Sequence, residues 1–381
     1  MHVLFASHRY HPVPGGTERI AQLLAESVVR GGGEATLITQ SEPGTADRED
    51  VNGVDVRRLR MRPVAGVRFP SGYLRLLRGL RADVFHVQGN RIWCADFYFP
   101  VAPLFPWRQM VTGHGFYQYA IHRRAWDRWY FERYFPKVLR AFDHYVCDTE
   151  YERQQLLGWG VPAERLLRIP LGADLDEFRN APTNAESVRA GWNLRAPLVG
   201  VYVGGFFENK RVDRLIEAAA GRRGKWALVL IGRDIPGSPY DRAHCEDLAR
   251  KLGVEVRVPG VLSRADTVAS LLAADAVVSG SDYEGFGVSL AESMAAGRPF
   301  LAWSAGAAPE MAATGAGIVA HSLEELGQGL ERLEDDAERR RMSRRSTEAS
   351  PEWSTETMCR RYGALYTRLA ASGPRWQRHG D

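Results

Sequence analysis

Short apolar runs alternate with amphipathic stretches along most of the chain. In the first half the runs lie at residues 3–7, 35–39, 84–87, 110–112 and 144–147, each short and apolar enough for a buried strand. A Pro/Gly loop, His11-Pro12-Val13-Pro14-Gly15-Gly16, separates the first run from a helix predicted over 19–30. The second half restarts the alternation, with strands at 198–203, 227–231, 254–258, 276–279 and 300–303 and a helix at 212–220. Parallel sheets wrapped by helices produce this rhythm. The polar, Pro-containing stretch 179–186 reads as a linker. The expectation is an α/β protein of two tandem, doubly wound domains, 1–178 and 179–353, with a last helix near 354–371. Two such domains would take a ligand in the interdomain cleft, near the carboxyl ends of both sheets.

Composition narrows this picture. A length of 381 residues gives each half enough chain for its own core. Cys94, Cys147, Cys245 and Cys359 are scattered without C-x-x-C spacing, which argues against a zinc ribbon, a redox pair or a secreted disulfide scaffold. The first residues run straight into a strand-like segment without a basic leader, and no stretch of about eighteen apolar residues occurs. A cytoplasmic protein that does not span the membrane is expected. The net charge of +4 conceals an asymmetry, because residues 51–140 hold 16 Arg and Lys against 5 Asp and Glu, whereas 181–381 hold 26 of each. A basic first half calls for an anionic partner. No nucleic-acid motif accompanies it, so nucleic acid is not the expected one.

The densest chemistry follows the strand at 276–279. Gly285 and Gly287 permit a tight turn that a ligand can approach closely. Glu284 would lie in that loop, with Val288 opening a helix and Glu292 about two turns in. The helix N-terminus can hold an anion, one carboxylate can accept hydrogen bonds from a sugar ring, and the other can accept them from a ribose. Gly15-Gly16 opens a helix after the first strand, and its N–H groups can likewise face a phosphate. Only four of the basic residues are lysine (Lys137, Lys210, Lys225 and Lys251), so a lysine in a glycine loop, Lys210, reads as a selected point charge. His8 and His11 lack i, i+4 spacing and a carboxylate partner, and no metal site is expected.

Glu284-Gly285-Phe286-Gly287 with Glu292 resembles the E-G-F-G-x-x-x-x-E segment of retaining glycosyltransferases of the GT-B fold, family 4, the glycosyl transferases group 1. The resemblance runs from about residue 3 to about residue 310. It implies two Rossmann-like domains, the first binding the acceptor and completed by the C-terminal helix within 354–381, the second binding a nucleotide-sugar donor. Gly204-Gly205-Phe206-Phe207-Glu208-Asn209-Lys210 resembles the family's pyrophosphate loop, which would set Lys210 against the donor diphosphate. Gly205 stands where the family usually has arginine, and Arg211 is a candidate replacement. Thr112-Gly113-His114-Gly115-Phe116 resembles the T-x-H-G loop and makes His114 catalytic alongside Glu284 and Lys210. The implied donor set is Gly15, Gly16, Gly204, Gly205, Lys210, Arg211, Glu284, Gly285, Phe286, Gly287, Val288 and Glu292. The segment from Ser304 to Glu310 resembles a turn near the donor base, and Asp148-Thr149-Glu150 the close of the acceptor domain. No D-x-D stands where a metal would hold the diphosphate, so neither metal nor further cofactor is expected.

On the acceptor side the candidates are His86, Trp93, Phe116 and Tyr117. Residues 92–135 interleave aromatics with Arg123, Arg124, Arg128 and Arg133. Three readings stand: peripheral contact with an anionic membrane, an acceptor groove, or a buried helical face with solvated arginines. The expected activity is transfer of a hexose-type sugar from a nucleotide diphosphate to a lipid-linked, saccharide or natural-product acceptor. The rivals are a nucleotide-sugar epimerase of related architecture and a degenerate GT-B partner that binds without catalysing. A dinucleotide oxidoreductase ranks below both, because neither half shows G-x-G-x-x-G.

Overall fold

The computed structural model describes residues 1–13, 15–64, 67–89, 93–115, 129–182 and 184–375. The chain divides into two compact units, 1–170 with 358–381, and 171–357.

The first unit is built on an eight-stranded sheet. Its spatial order is Leu166–Arg168, His144–Cys147, Arg108–Thr112, Val84–Gln88, His2–Ser7, Glu34–Gln40, Val54–Leu59 and Arg48–Val51. Every pairing is parallel except that of the edge strand Arg48–Val51. Val84–Gln88 and Arg108–Thr112 are buried along their full length, as strands covered on both faces must be. The strand order reverses between His2–Ser7 and Val84–Gln88, so the loops after Ser7 and Gln88 flank an open crevice of the kind that binds ligands. Helix Gly16–Arg30 buries Ile20, Ala21, Leu24, Ala25 and Val28, a spacing that puts one apolar stripe on the sheet. From Met358 onward, helix Thr355–Ala371 belongs to this unit, and it brings fully buried Tyr362 and Tyr366 onto the strands.

The second unit has a six-stranded parallel sheet in the order Glu255–Gly260, Trp226–Ile231, Leu198–Val203, Ala276–Ser279, Phe300–Trp303 and Gly317–Ala320. Numbered along the chain this is 3-2-1-4-5-6, the dinucleotide-fold order, and its reversal lies between Leu198–Val203 and Ala276–Ser279. Helix Val212–Ala220 follows the first of these strands and buries Val212, Leu215, Ile216 and Ala219. Gly232 ends Trp226–Ile231 at φ 150°, and a Cβ there would stand 1.8 Å from the carbonyl oxygen of Gly204. Only glycine lets these two loops touch. The unit's first and last residues also pair. Ala173 N donates to the Trp353 carbonyl at 2.9 Å, and Thr355 N to the Ala173 carbonyl at 2.9 Å.

Candidate active site

In the second unit, the loops on either side of the strand reversal bring Lys210 and Glu284 together. Lys210 ends a 3-10 turn, Glu208–Lys210, and its Nζ donates to Glu284 Oε1 at 2.6 Å. Ser281 Oγ donates to the same oxygen at 2.7 Å. Backbone bonds fix the loops to each other: Asp282 N to the Asn209 carbonyl at 2.9 Å, and Asn209 Nδ2 to the Tyr283 carbonyl at 3.1 Å. The two side chains are 22% and 17% exposed, so a ligand can reach the pair while neighbours hold it. Arg211 is placed differently from its role as a replacement cation. Its backbone is left-handed, at φ 45°, and its guanidinium is committed to Asp213 at 2.8–3.2 Å. Arg214 is likewise tied to Asp282 and to the Gly280 carbonyl.

Gly287, at φ 98°, caps helix Val288–Ala295, a conformation that favours glycine. Gly285 lies in the same turn, and Val288 is exposed at the helix start. Phe286 is turned inward, 3% exposed and 6.0 Å from the Trp353 ring, so it anchors the turn and offers a ligand little surface. Gly306 packs beneath the turn, where a Cβ would meet the Phe286 carbonyl at 2.5 Å. Glu292 is 8% exposed. Burial pushes its carboxyl above the ordinary carboxylate range, and the Arg264 cation opposes that shift. Arg264 bridges Glu292 and Glu177. Nothing in the motif pointed to Arg264, which lies on another helix, Arg264–Ala273.

In the first unit, Gly15 and Gly16 sit at the start of helix Gly16–Arg30, which has no side-chain cap. His114 adopts φ 56°, a left-handed conformation that costs a non-glycine residue free energy and marks functional loops. Its Nδ1 lies 3.1 Å from Asp148 Oδ2 and its Nε2 lies 2.6 Å from Gln88 Oε1. A sugar hydroxyl would have to displace one of these partners to bond the ring. Asp148 in turn receives support from Glu152, whose Oε2 accepts the Asp148 N–H at 2.8 Å. Gln88 and Asp148 carried no motif signal of their own as partners of His114.

Two acceptor-side expectations are corrected. His86 is fully buried, with Nδ1 2.7 Å from Tyr366 Oη and Nε2 2.8 Å from Thr112 Oγ1. The C-terminal helix covers it, and burial holds its pKa well below the ordinary histidine value. Trp93 is a core residue, 6% exposed and edge-on to Tyr73 at 5.1 Å. Neither can line an acceptor surface. Phe116 and Tyr117 lie outside the described residues. Among the described residues, no three His, Cys, Asp or Glu side chains gather as a metal-binding group, and no helix is long and apolar enough to cross a membrane.

Two doubly wound parallel-sheet units, each with a strand-order reversal at its candidate loops, define a GT-B protein. The chain is similar to sucrose-phosphate synthase from Thermosynechococcus elongatus, with a TM-score of 0.80 at 20% identity over 98% of this chain and 100% of that one. Residues 187–349 match the model of glycosyl transferases group 1, and residues 15–172 that of the glycosyl transferase 4-like domain. Residues 187–349 thus belong to the glycosyl transferases group 1, and residues 15–172 to the glycosyl transferase 4-like domain. It is 30% identical over 181 residues to a D-inositol 3-phosphate glycosyltransferase of Kineococcus radiotolerans, 45% of this chain and 41% of that protein. It is 30% identical over 220 residues, 54% of each chain, to a GDP-mannose-dependent alpha-(1-6)-phosphatidylinositol dimannoside mannosyltransferase of Mycobacterium tuberculosis. The chain spans about half the length of these curated relatives.

Proposed function

We propose that this chain is a retaining, metal-independent hexosyltransferase that uses a nucleotide-diphosphate sugar. The observation that carries the reading is the Lys210–Glu284 pair at the strand reversal of the second unit. Lys210 stabilises negative charge as the diphosphate departs, the step at which a preorganised cation contributes most. Glu284 orients the donor sugar and Glu292 accepts from the ribose; in the first unit, His114 is the catalytic candidate. The acceptor hydroxyl oxygen bonds the anomeric carbon while the bond from that carbon to the diphosphate oxygen breaks. The electron pair leaves with the phosphate, and the hydroxyl proton passes to a phosphate oxygen on the same face, which preserves configuration.

A lipid-linked or polyol acceptor is supported by the two relatives, one named for phosphatidylinositol dimannoside and the other for D-inositol 3-phosphate. Peripheral contact of the first unit with anionic membrane is supported by exposed Phe69, Leu104 and Trp129 in a basic region. Thermal-shift titration against UDP, GDP, ADP and their sugar conjugates, with and without EDTA, tests the donor reading. A selective shift that survives EDTA and disappears in Glu292→Ala supports it. No shift with any nucleotide removes it. Flotation with liposomes that shows no dependence on anionic lipid removes the membrane contact.

A further inference from the structure

The crevice of the second unit contains several cations, and most are already neutralised. Lys210 is bonded to Glu284, Arg211 to Asp213, and Arg214 to Asp282. Arg233 differs. Among the described residues it has no carboxylate partner, and its guanidinium lies 5.8 Å from the centre of the Phe207 ring. Phe207 belongs to the Gly204–Lys210 loop, and its ring atoms stand 2.7 and 3.0 Å from where a Cβ on Gly205 would be. The ring thus fills the space beside Gly205, with the Arg233 guanidinium over its face.

The backbone brings Arg233 there. Gly204 N donates to the Ile231 carbonyl at 2.9 Å and Phe206 N to the Arg233 carbonyl at 3.0 Å, which continues the strand pairing into the loops. The contact between Gly232 and Gly204 closes the remaining gap. An exposed arginine with no carboxylate bonded to it among the described residues, held on an aromatic ring at the carboxyl edge of a parallel sheet, matches the planar, bidentate chemistry of a phosphate contact.

We propose that Arg233 supplies a second cation to the diphosphate of the donor, reaching the glycine loop from the neighbouring strand where Gly205 offers no side chain. This rests on the donor reading above. A diphosphate carries more than one negative charge, and Lys210 shares its own charge with Glu284. Arg233 carries no such obligation.

The test is isothermal titration of the full chain and of Arg233→Gln and Arg233→Lys with UDP, GDP and ADP, each beside its uncharged nucleoside. For whichever nucleotide binds, Arg233→Gln should weaken the diphosphate about tenfold and leave the nucleoside unchanged. Arg233→Lys should recover part of the loss. Equal weakening of nucleoside and diphosphate, or diphosphate binding within twofold of the unmodified chain, overturns the assignment. If the unmodified chain binds none of the three nucleotides, the donor reading falls first and takes this inference with it.

Discussion

Lys210 and Glu284 stand 74 residues apart in sequence and meet through a 2.6 Å bond between Nζ and Oε1. Each lies in a loop at the carboxyl edge of a strand, and those strands are adjacent only because the sheet order reverses between them. The pairing therefore depends on topology and not on local sequence.

The pair should matter far more to turnover than to stability. Both side chains are partly exposed, so the ion pair is worth about 1 kcal/mol or less to the fold. A cation aimed at developing phosphate charge is worth about 100-fold or more in rate. Lys210→Ala should lower kcat/KM for sugar transfer by about that factor and shift Tm by only a few degrees. Calorimetry beside a donor-turnover assay checks this, and a rate loss no larger than the loss of folded protein would make the pair structural.

Arg264 should govern how stability responds to pH. Burial already raises the Glu292 carboxyl, and removing the opposing cation raises it further. A carboxyl raised in the folded state gives stability that is present at low pH and lost as pH rises through the folded value. Arg264→Ala should therefore cost about 1–3 kcal/mol near pH 8, a figure reduced because Arg264 is half exposed, and less near pH 5. Urea unfolding at both pH values reads the difference, and adding Glu292→Gln to Arg264→Ala should flatten it.

Glu152 offers a second pH probe, in the first unit. Burial, reinforced by neighbouring Asp148, raises its carboxyl to about 8. Between the unfolded value of about 4.5 and the folded value, only the folded state holds this proton, so stability declines across that window as pH rises. Glu152→Gln imitates the protonated carboxyl. The Tm of the variant should gain on the unmodified protein steadily from pH 5 to pH 8, and a constant offset would count against the raised carboxyl.

Gly232→Ala should be among the most damaging single-methyl changes in the chain. The new Cβ would stand 1.8 Å from the Gly204 carbonyl oxygen at a backbone angle that disfavours any side chain. A loss of about 3 kcal/mol is expected from strain and loop displacement together. Gly237→Ala is the comparison, because it also has a positive φ, 83°, but its Cβ would meet nothing within 4 Å. Comparable losses in the two variants would assign the effect to backbone strain alone.

The central parallel strands were legible because a strand buried on both faces is an unbroken apolar run, whereas the three-residue edge strand Leu166–Arg168 was not read. Val54–Leu59 and Arg48–Val51 were not, because they lie toward one edge of the sheet and alternate charge with apolar positions. Gly317–Ala320 was missed because it is an edge strand that is only partly buried. The glutamate loop was legible because its two glycines and two acids lie within nine residues. His86 and Trp93 show the limit of such reasoning. The sequence places His86 at a strand end, but the Tyr366 hydroxyl that caps its ring comes from 280 residues away. Arg264 and Arg233 went unnoticed for the same reason. Their significance lies in what they face or lack across the fold, and their neighbours in sequence do not record it.

The bridge between Ala173 and Ser354 makes the second unit an insertion. Its chain enters and leaves at one point, where a Cβ on Gly172 would meet the Ser354 backbone at 2.3 Å. During synthesis the second unit is complete once residue 357 has emerged, while the first still lacks Tyr362 and Tyr366 for its buried network around His86 and Thr112. The unit begun first is thus the last to close its core. A nascent chain stalled before the final helix would carry a finished second unit on an unfinished first one.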